Sequence, residues 1–248
     1  MNNANQAVHT LYKFRAVNKY LIESLVTPSL YFAKPSTLND PFDCRPNFKV
    51  LLKNALLTST GVRKEFLSKQ MSKFLEYDWE DMFKDHGIFS ASSGKIICEY
   101  KELQRLLWSH YADEHRGLRI KYEIPESFLK GKKRGVSDVM YDVQPFTTYL
   151  SGCNTNDEDF YTFLYKSYLI AKHPAWMYED EKRIIRESSG IFLIPGEFIK
   201  EICFGLRTPK EDIQLIRKLA MNHCGLTNFY QMIRNDKDFG FEMSKLPQ

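Results

Sequence analysis

The sequence predicts an α+β fold, one domain in which strands and helices are interspersed, enlarged by a helical insertion at about residues 48–84. Three observations lead there. Segments of strand and helix character alternate without the regular rhythm of a parallel βαβ sheet. Leu51, Leu52, Ala55 and Leu56, then Phe66, Leu67, Met71, Phe74 and Leu75, recur at helical spacing with one apolar stripe. The chain has 248 residues, 43% of them hydrophobic, a length that one core can still fill, and no repeat or long linker divides it.

Taken in order, Leu11 to Arg15 alternates like a half-buried strand, and Asn18 offers an N-cap to a short helix that Pro28 stops. Ser29 to Ala33 reads as a second strand. The stretch Lys34 to Asp43 is crowded with residues whose side chains bond their own backbone, which makes an ordered loop. After the insertion, Gly87 to Ser93 is a strand, Glu102 to His115 a helix released at Gly117, and Leu118 to Ile124 a strand. Val139 to Val143 is expected as a strand and Phe160 to Ala171 as a helix. Lys182 to Arg186 and Ile191 to Ile194 are expected to form a hairpin-like pair around Ser188-Ser189-Gly190. A strand at Ile199 to Phe204 precedes the last clear element, a helix from Pro209 to about Cys224, with Thr208 as N-cap, Glu211 completing a capping box and Gly225 ending it.

Composition excludes broad classes. No apolar run approaches the about 18 residues of a membrane span, and Met1 to Thr10 lacks the apolar segment of a secretory signal, so a cytoplasmic protein without a membrane partner is expected. The five cysteines are scattered and odd in number, which implies neither a disulfide framework nor a zinc ribbon. His110 and His115 stand five apart, turned away from each other on a helix, and no metal is expected. The common phosphate-cradling glycine motifs are absent. A formal net charge of +4 is too mild to argue for a nucleic-acid partner.

Three constellations could carry chemistry. In Tyr178-Glu179-Asp180-Glu181-Lys182-Arg183, strand alternation would align Glu179, Glu181 and Arg183 on one face, and two adjacent carboxylates beside a guanidinium have perturbed ionisation. The plain alternative is a solvated charge ladder. Leu107-Trp108-Ser109-His110-Tyr111-Ala112 offers stacking surface and hydrogen bonds, with Trp108 expected in the core. Lys13 and Arg15 share a strand face, where they would suit a phosphate or carboxylate or pair with the acids of the Asn39 to Asp43 loop.

The blocks LYKFR, LYFAKPSTLNDPFDC, LLWSHYADEHRGLRIKYEI, VMYDVQP, W-x-YEDEKRII and IKEICFG together resemble a bacterial domain-of-unknown-function family with the same order. A basic first strand, a middle serine region and a late Glu-x-Glu strand are more distantly similar to the ADP-ribosyltransferase superfamily, which includes many bacterial toxins and phage-defence effectors. That resemblance implies a mixed, mostly antiparallel split sheet and NAD as substrate. It implies Glu181 as the carboxylate that holds the ribose and stabilises the oxocarbenium-like state, and Glu179 as the group that orients or activates the acceptor. Lys13 or Arg15 would contact ribose or pyrophosphate, Ser90 would match the serine motif, and His110 and Tyr111 would line the nicotinamide pocket. The acceptor would be RNA, DNA or protein, with an antitoxin as a further partner. The competing reading is a non-enzymatic nucleic-acid or protein interaction module, in which Glu179 and Glu181 only form a charge ladder and the basic run Lys130 to Arg134 binds phosphate.

Overall fold

Ten strands carry the fold in a computed structural model that describes residues 7–45, 47–76, 79–95, 104–130, 134–142, 147, 150, 156–235 and 240–247. They are β1 (Val8–Arg15), β2 (Ser29–Phe32), β3 (Gly87–Ser92), β4 (Leu118–Pro125), β5 (Arg134–Asp138), β6 (Glu181–Arg186), β7 (Gly190–Leu193), β8 (Ile199–Phe204), β9 (Phe229–Arg234) and β10 (Phe241–Lys245). The α-helices are α1 (Lys19–Val26), α2 (Phe48–Thr58), α3 (Gly61–Glu76), α4 (Trp79–Phe83), α5 (Gln104–Tyr111), α6 (Glu126–Lys130), α7 (Asp157–Ile170) and α8 (Lys210–Cys224). Eight strands form one sheet in the order β10-β9-β8-β4-β1-β3-β6-β5, and β2 pairs with β7 apart from it. Every pairing is antiparallel except β8 with β9. The fold is therefore α+β with a mixed, mostly antiparallel sheet.

One joint in that sheet is open. β1 and β4 pair from Val8↔Pro125 to Arg15↔Leu118, whereas among the described residues β1 meets β3 in register only at Tyr12↔Ser92. Lys13 Nζ reaches across to the Ser90 carbonyl at 2.6 Å, so a side chain, rather than a row of ladder bonds, spans the opening.

Apolar residues gather on both faces of the sheet. Leu11, Ile120 and Ile202 pack with Leu21 and Leu25 of α1 and Ile216 of α8. On the other side, helices α2 to α4 and α7 bury Leu51, Leu52, Phe83, Phe160 and Leu169 against Ile88 and Ile185. Phe14 meets the fully buried Trp108 edge-on at 5.1 Å, the core role expected of that tryptophan.

Several local expectations are corrected. Lys182–Arg186 and Ile191–Ile194 do not pair with each other: β6 lies between β3 and β5, while β7 joins β2. Gly190, at φ +108°, turns the chain out of one sheet and into the other. The strand expected at Val139–Val143 lies earlier, at Arg134–Asp138; Met140 contributes one isolated bridge to Ala171, and Val143 lies outside the described residues. The helix expected to reach His115 ends at Tyr111, because Asp113, Glu114 and His115 all take left-handed conformations. Thr208 does not cap α8. Its hydroxyl is directed to the carbonyls of Gly117 and Gly205, at 2.7 and 3.2 Å, and the helix starts without a side-chain cap. Strands β9 and β10 were not anticipated. No described helix is long and apolar enough to cross a membrane.

Candidate functional site

A cavity of about 920 Å³ occupies the open joint. β1 lines it with Lys13 and Arg15, β3 with Ser90, α5 with Tyr111, and the approach to β6 with Glu179 and Glu181. Residues separated by more than 160 positions in sequence thus share one wall because β1, β3 and β6 are successive strands of the sheet.

The two glutamates do not reach the cavity by simple strand alternation. Glu179 closes a 3₁₀ helix (Pro174–Glu179), Asp180 takes the left-handed conformation at φ 44°, and only Glu181 begins β6. The end of β3 fixes that turn. The Ser92 hydroxyl donates to the Glu179 carbonyl at 2.7 Å, the Ser93 N–H donates to the Asp180 carbonyl at 2.7 Å, and the Ser93 hydroxyl binds the Asp180 carboxylate at 2.5 Å. The Glu181 N–H donates to the Tyr141 hydroxyl at 2.8 Å. Ser92 at the end of β3 and Ser93 just after it therefore hold the acidic turn in place.

Behind the glutamates lies a buried ionic cluster. Arg183 is fully buried; its Nε donates to Glu181 Oε1 at 2.7 Å and its Nη2 to Asp43 Oδ2 at 2.6 Å. Lys172 Nζ lies 2.5 Å from Glu179 Oε2, 2.9 Å from Glu181 Oε2 and 3.7 Å from Asp43 Oδ2. The Tyr111 hydroxyl donates to Glu179 Oε1 and accepts from Asn39 Nδ2 at 3.3 Å. Three carboxyl groups thus share two cations.

This arrangement drives the two acids apart. Burial alone would raise Glu181, but the charges of Arg183 and Lys172, with hydrogen bonds from Arg183 and Ser90, hold it well below the usual carboxylate range. Burial raises Glu179, and repulsion by Glu181 adds to that; the attraction of Lys172 only limits the rise. One acid is a fixed charge and its neighbour is shifted toward neutrality, a pattern found where acid–base roles are divided.

Two cations, Lys13 and Arg15, line the same cavity. Burial, with repulsion from Arg15, lowers Lys13 to about 8. Neither Lys13 nor Arg15 pairs with the acids of the Asn39–Asp43 loop: Asp40 accepts from Trp176 Nε1 at 2.6 Å and Asp43 pairs with Arg183. Among the described residues Arg15 makes no ion pair.

Residues 107–184 match a family described as Protein of unknown function (DUF2971). That stretch, about a third of the chain, carries Tyr111, Lys172, Glu179, Glu181 and Arg183, and so most of the cluster; Lys13, Arg15, Asp43 and Ser90 lie before it. No curated protein and no solved structure matches the chain.

Of the residues singled out in the sequence, Lys13, Arg15, Ser90, Tyr111, Glu179 and Glu181 line one cavity. His110 does not. It points elsewhere and shares a 2.8 Å hydrogen bond with the Tyr178 hydroxyl, because neighbouring positions on a helix face different directions. The basic run Lys130 to Arg134 lies outside the residues whose side chains are described. Lys172 and Tyr141 were missed: each sits in an irregular segment without periodic pattern, and the available signal was the chemical need of a buried acid pair for a buried cation. Among the described residues no group of three or more His, Cys, Asp or Glu side chains is placed to hold a metal ion.

Proposed function

We propose that the protein is an NAD-dependent ADP-ribosyltransferase-like enzyme that modifies a macromolecule. The observation that carries this reading is one cavity lined by paired carboxylates, Glu179 and Glu181, and by two cations, Lys13 and Arg15. NAD carries matching charges, a cationic nicotinamide ring and an anionic pyrophosphate joined through ribose. A volume of about 920 Å³ falls in the range of small-molecule sites, about 300–1,000 Å³.

In this reading Glu181, kept charged by Arg183 and Lys172, accepts a hydrogen bond from a ribose hydroxyl and stabilises positive charge as the bond from C1′ to the nicotinamide nitrogen breaks. Nicotinamide leaves with the bonding electron pair. Glu179, whose proton affinity burial raises, is suited as its carboxylate to take the proton of the acceptor nucleophile as it bonds to C1′. Arg15 and Lys13 face the pyrophosphate. Ser90 holds Glu181, and Tyr111 fixes Glu179 from the far side. The family resemblance adds the expectation of a bacterial toxin or phage-defence effector, and of an RNA, DNA or protein acceptor.

The test is incubation with NAD labelled in its adenylate phosphate and with bacterial extract. Transfer of label to macromolecules is expected from the wild type, falling at least about 100-fold in Glu181→Ala. Nuclease and protease treatment of the labelled product then identifies the acceptor. Transfer that survives the substitution unchanged contradicts the assignment of Glu181.

A further inference from the structure

Lys172 belongs to neither the Glu-x-Glu segment nor any strand. It follows α7, and its backbone N–H donates to the Met140 carbonyl at 2.9 Å, which anchors the residue next to the bridge between Met140 and Ala171. The side chain runs inward and is buried, with its ammonium 5.1 Å from the centre of the Trp176 ring. A buried lysine is costly unless compensated. Here three carboxylates surround it, and the contacts to the two glutamates, 2.5 and 2.9 Å, are much closer than the 3.7 Å to Asp43.

We propose that Lys172 is the positioning residue of the carboxylate pair, one ammonium that clamps Glu179 and Glu181 side by side and supplies the charge that Glu179 otherwise lacks. The asymmetry of the contacts supports this. Glu181 has a second cation, Arg183, bound through Nε at 2.7 Å and Nη2 at 3.2 Å. Glu179 has no second cation in contact among the described residues; its other partner is the neutral Tyr111 hydroxyl. The groups facing Glu179 are Lys172, Glu181 beyond the turn, Tyr111 from α5, Tyr178 on its own helix, Tyr141 and Lys13 across the opening. Removal of Lys172 leaves Glu181 paired and Glu179 with a like charge beside it and only a hydroxyl in support. Glu179 then binds its proton more tightly; Glu181 also loses one cation but keeps Arg183, which holds it charged. The role of Glu179 as acceptor base rests on the ADP-ribosyltransferase reading; the clamp does not.

The experiment is a carbon-13 NMR titration of the full chain labelled at glutamate carboxyls, with the Glu179 signal assigned by its loss in Glu179→Gln. In Lys172→Gln the Glu179 midpoint is expected to rise by at least about one pH unit, a tenfold change in proton affinity. The Glu181 signal is expected to stay ionised, and Lys172→Arg to return the Glu179 midpoint toward that of the wild type. In NAD turnover the acid limb of the pH profile moves up by the same interval. A Glu179 midpoint that does not move in a folded Lys172→Gln protein overturns the proposal. If Lys172→Gln does not fold, the double variant Lys172→Gln with Glu179→Gln is expected to fold, because the remaining carboxylates, Glu181 and Asp43, both stay paired with Arg183; a double variant as unfolded as the single one also overturns it. A shifted titration without any NAD turnover by the wild type keeps the clamp and removes the enzymatic reading.

Discussion

Glu179 and Glu181 are two positions apart yet differ in every partner. Glu181 contributes stability through a folded-state value held below its ordinary 4.5. That contribution is complete above pH 4.5 and is lost as the pH falls below it, because the unfolded chain then binds the proton that the native site resists. Glu181→Gln is therefore expected to flatten the acid limb of a plot of denaturant midpoint against pH, while wild type loses stability steeply there. Lys13, lowered by burial to about 8, loses its charge near that pH. Binding of ADP-ribose, measured by calorimetry, is expected to weaken as the pH rises through that value, and Lys13→Arg, which stays charged, is expected to remove that dependence.

Elements bring these residues together, and two of them are simple to test. α1 presents Tyr20, Glu23 and Ser24 to the cavity and starts where Asn18 Oδ1 accepts the Leu21 N–H at 3.0 Å. Asn18→Ala is expected to cost about 1 kcal/mol in denaturant unfolding. Gly117 sits where a Cβ would lie 2.1 Å from the Arg15 carbonyl and 2.9 Å from that of Ala112. Gly117→Ala must push the end of β1 from β4, and is expected to cost at least about 2 kcal/mol and to weaken ADP-ribose binding through Arg15. The strands β1, β3, β4, β6 and β8 and the cap at Asn18 were legible because alternation, turn residues and capping are local signals. The partners of those strands were not. Nothing near Ile191 tells that its strand pairs with Tyr31 rather than with Ile185, since pairing is decided by the whole sheet. Thr208 shows the same limit: its sequence context is that of an N-cap, yet Gly117, 91 positions earlier, takes its hydroxyl.

At the scale of the molecule, the site follows from one topological fact, the neighbouring of a basic strand, a serine strand and a strand entered through an acidic turn at a joint that opens. The sequence could nominate Lys13, Arg15, Ser90, Glu179 and Glu181 by type and order, but the buried Lys172 and Asp43 that set their charge depend on how α7 and the Asn39–Asp43 loop fold back behind β6. The DUF2971 stretch spans the acidic half of this arrangement and not the basic half, so the two halves are joined only by the fold. The central claim, that this cavity breaks the bond between nicotinamide and ribose, is tested most directly by release of labelled nicotinamide from NAD by purified protein with acceptor-containing extract. Wild type is expected to release nicotinamide, and Glu181→Gln to lose at least about 100-fold of that release with ADP-ribose binding retained. Equal release by the two proteins, or no release and no binding of NAD by wild type, would contradict that claim.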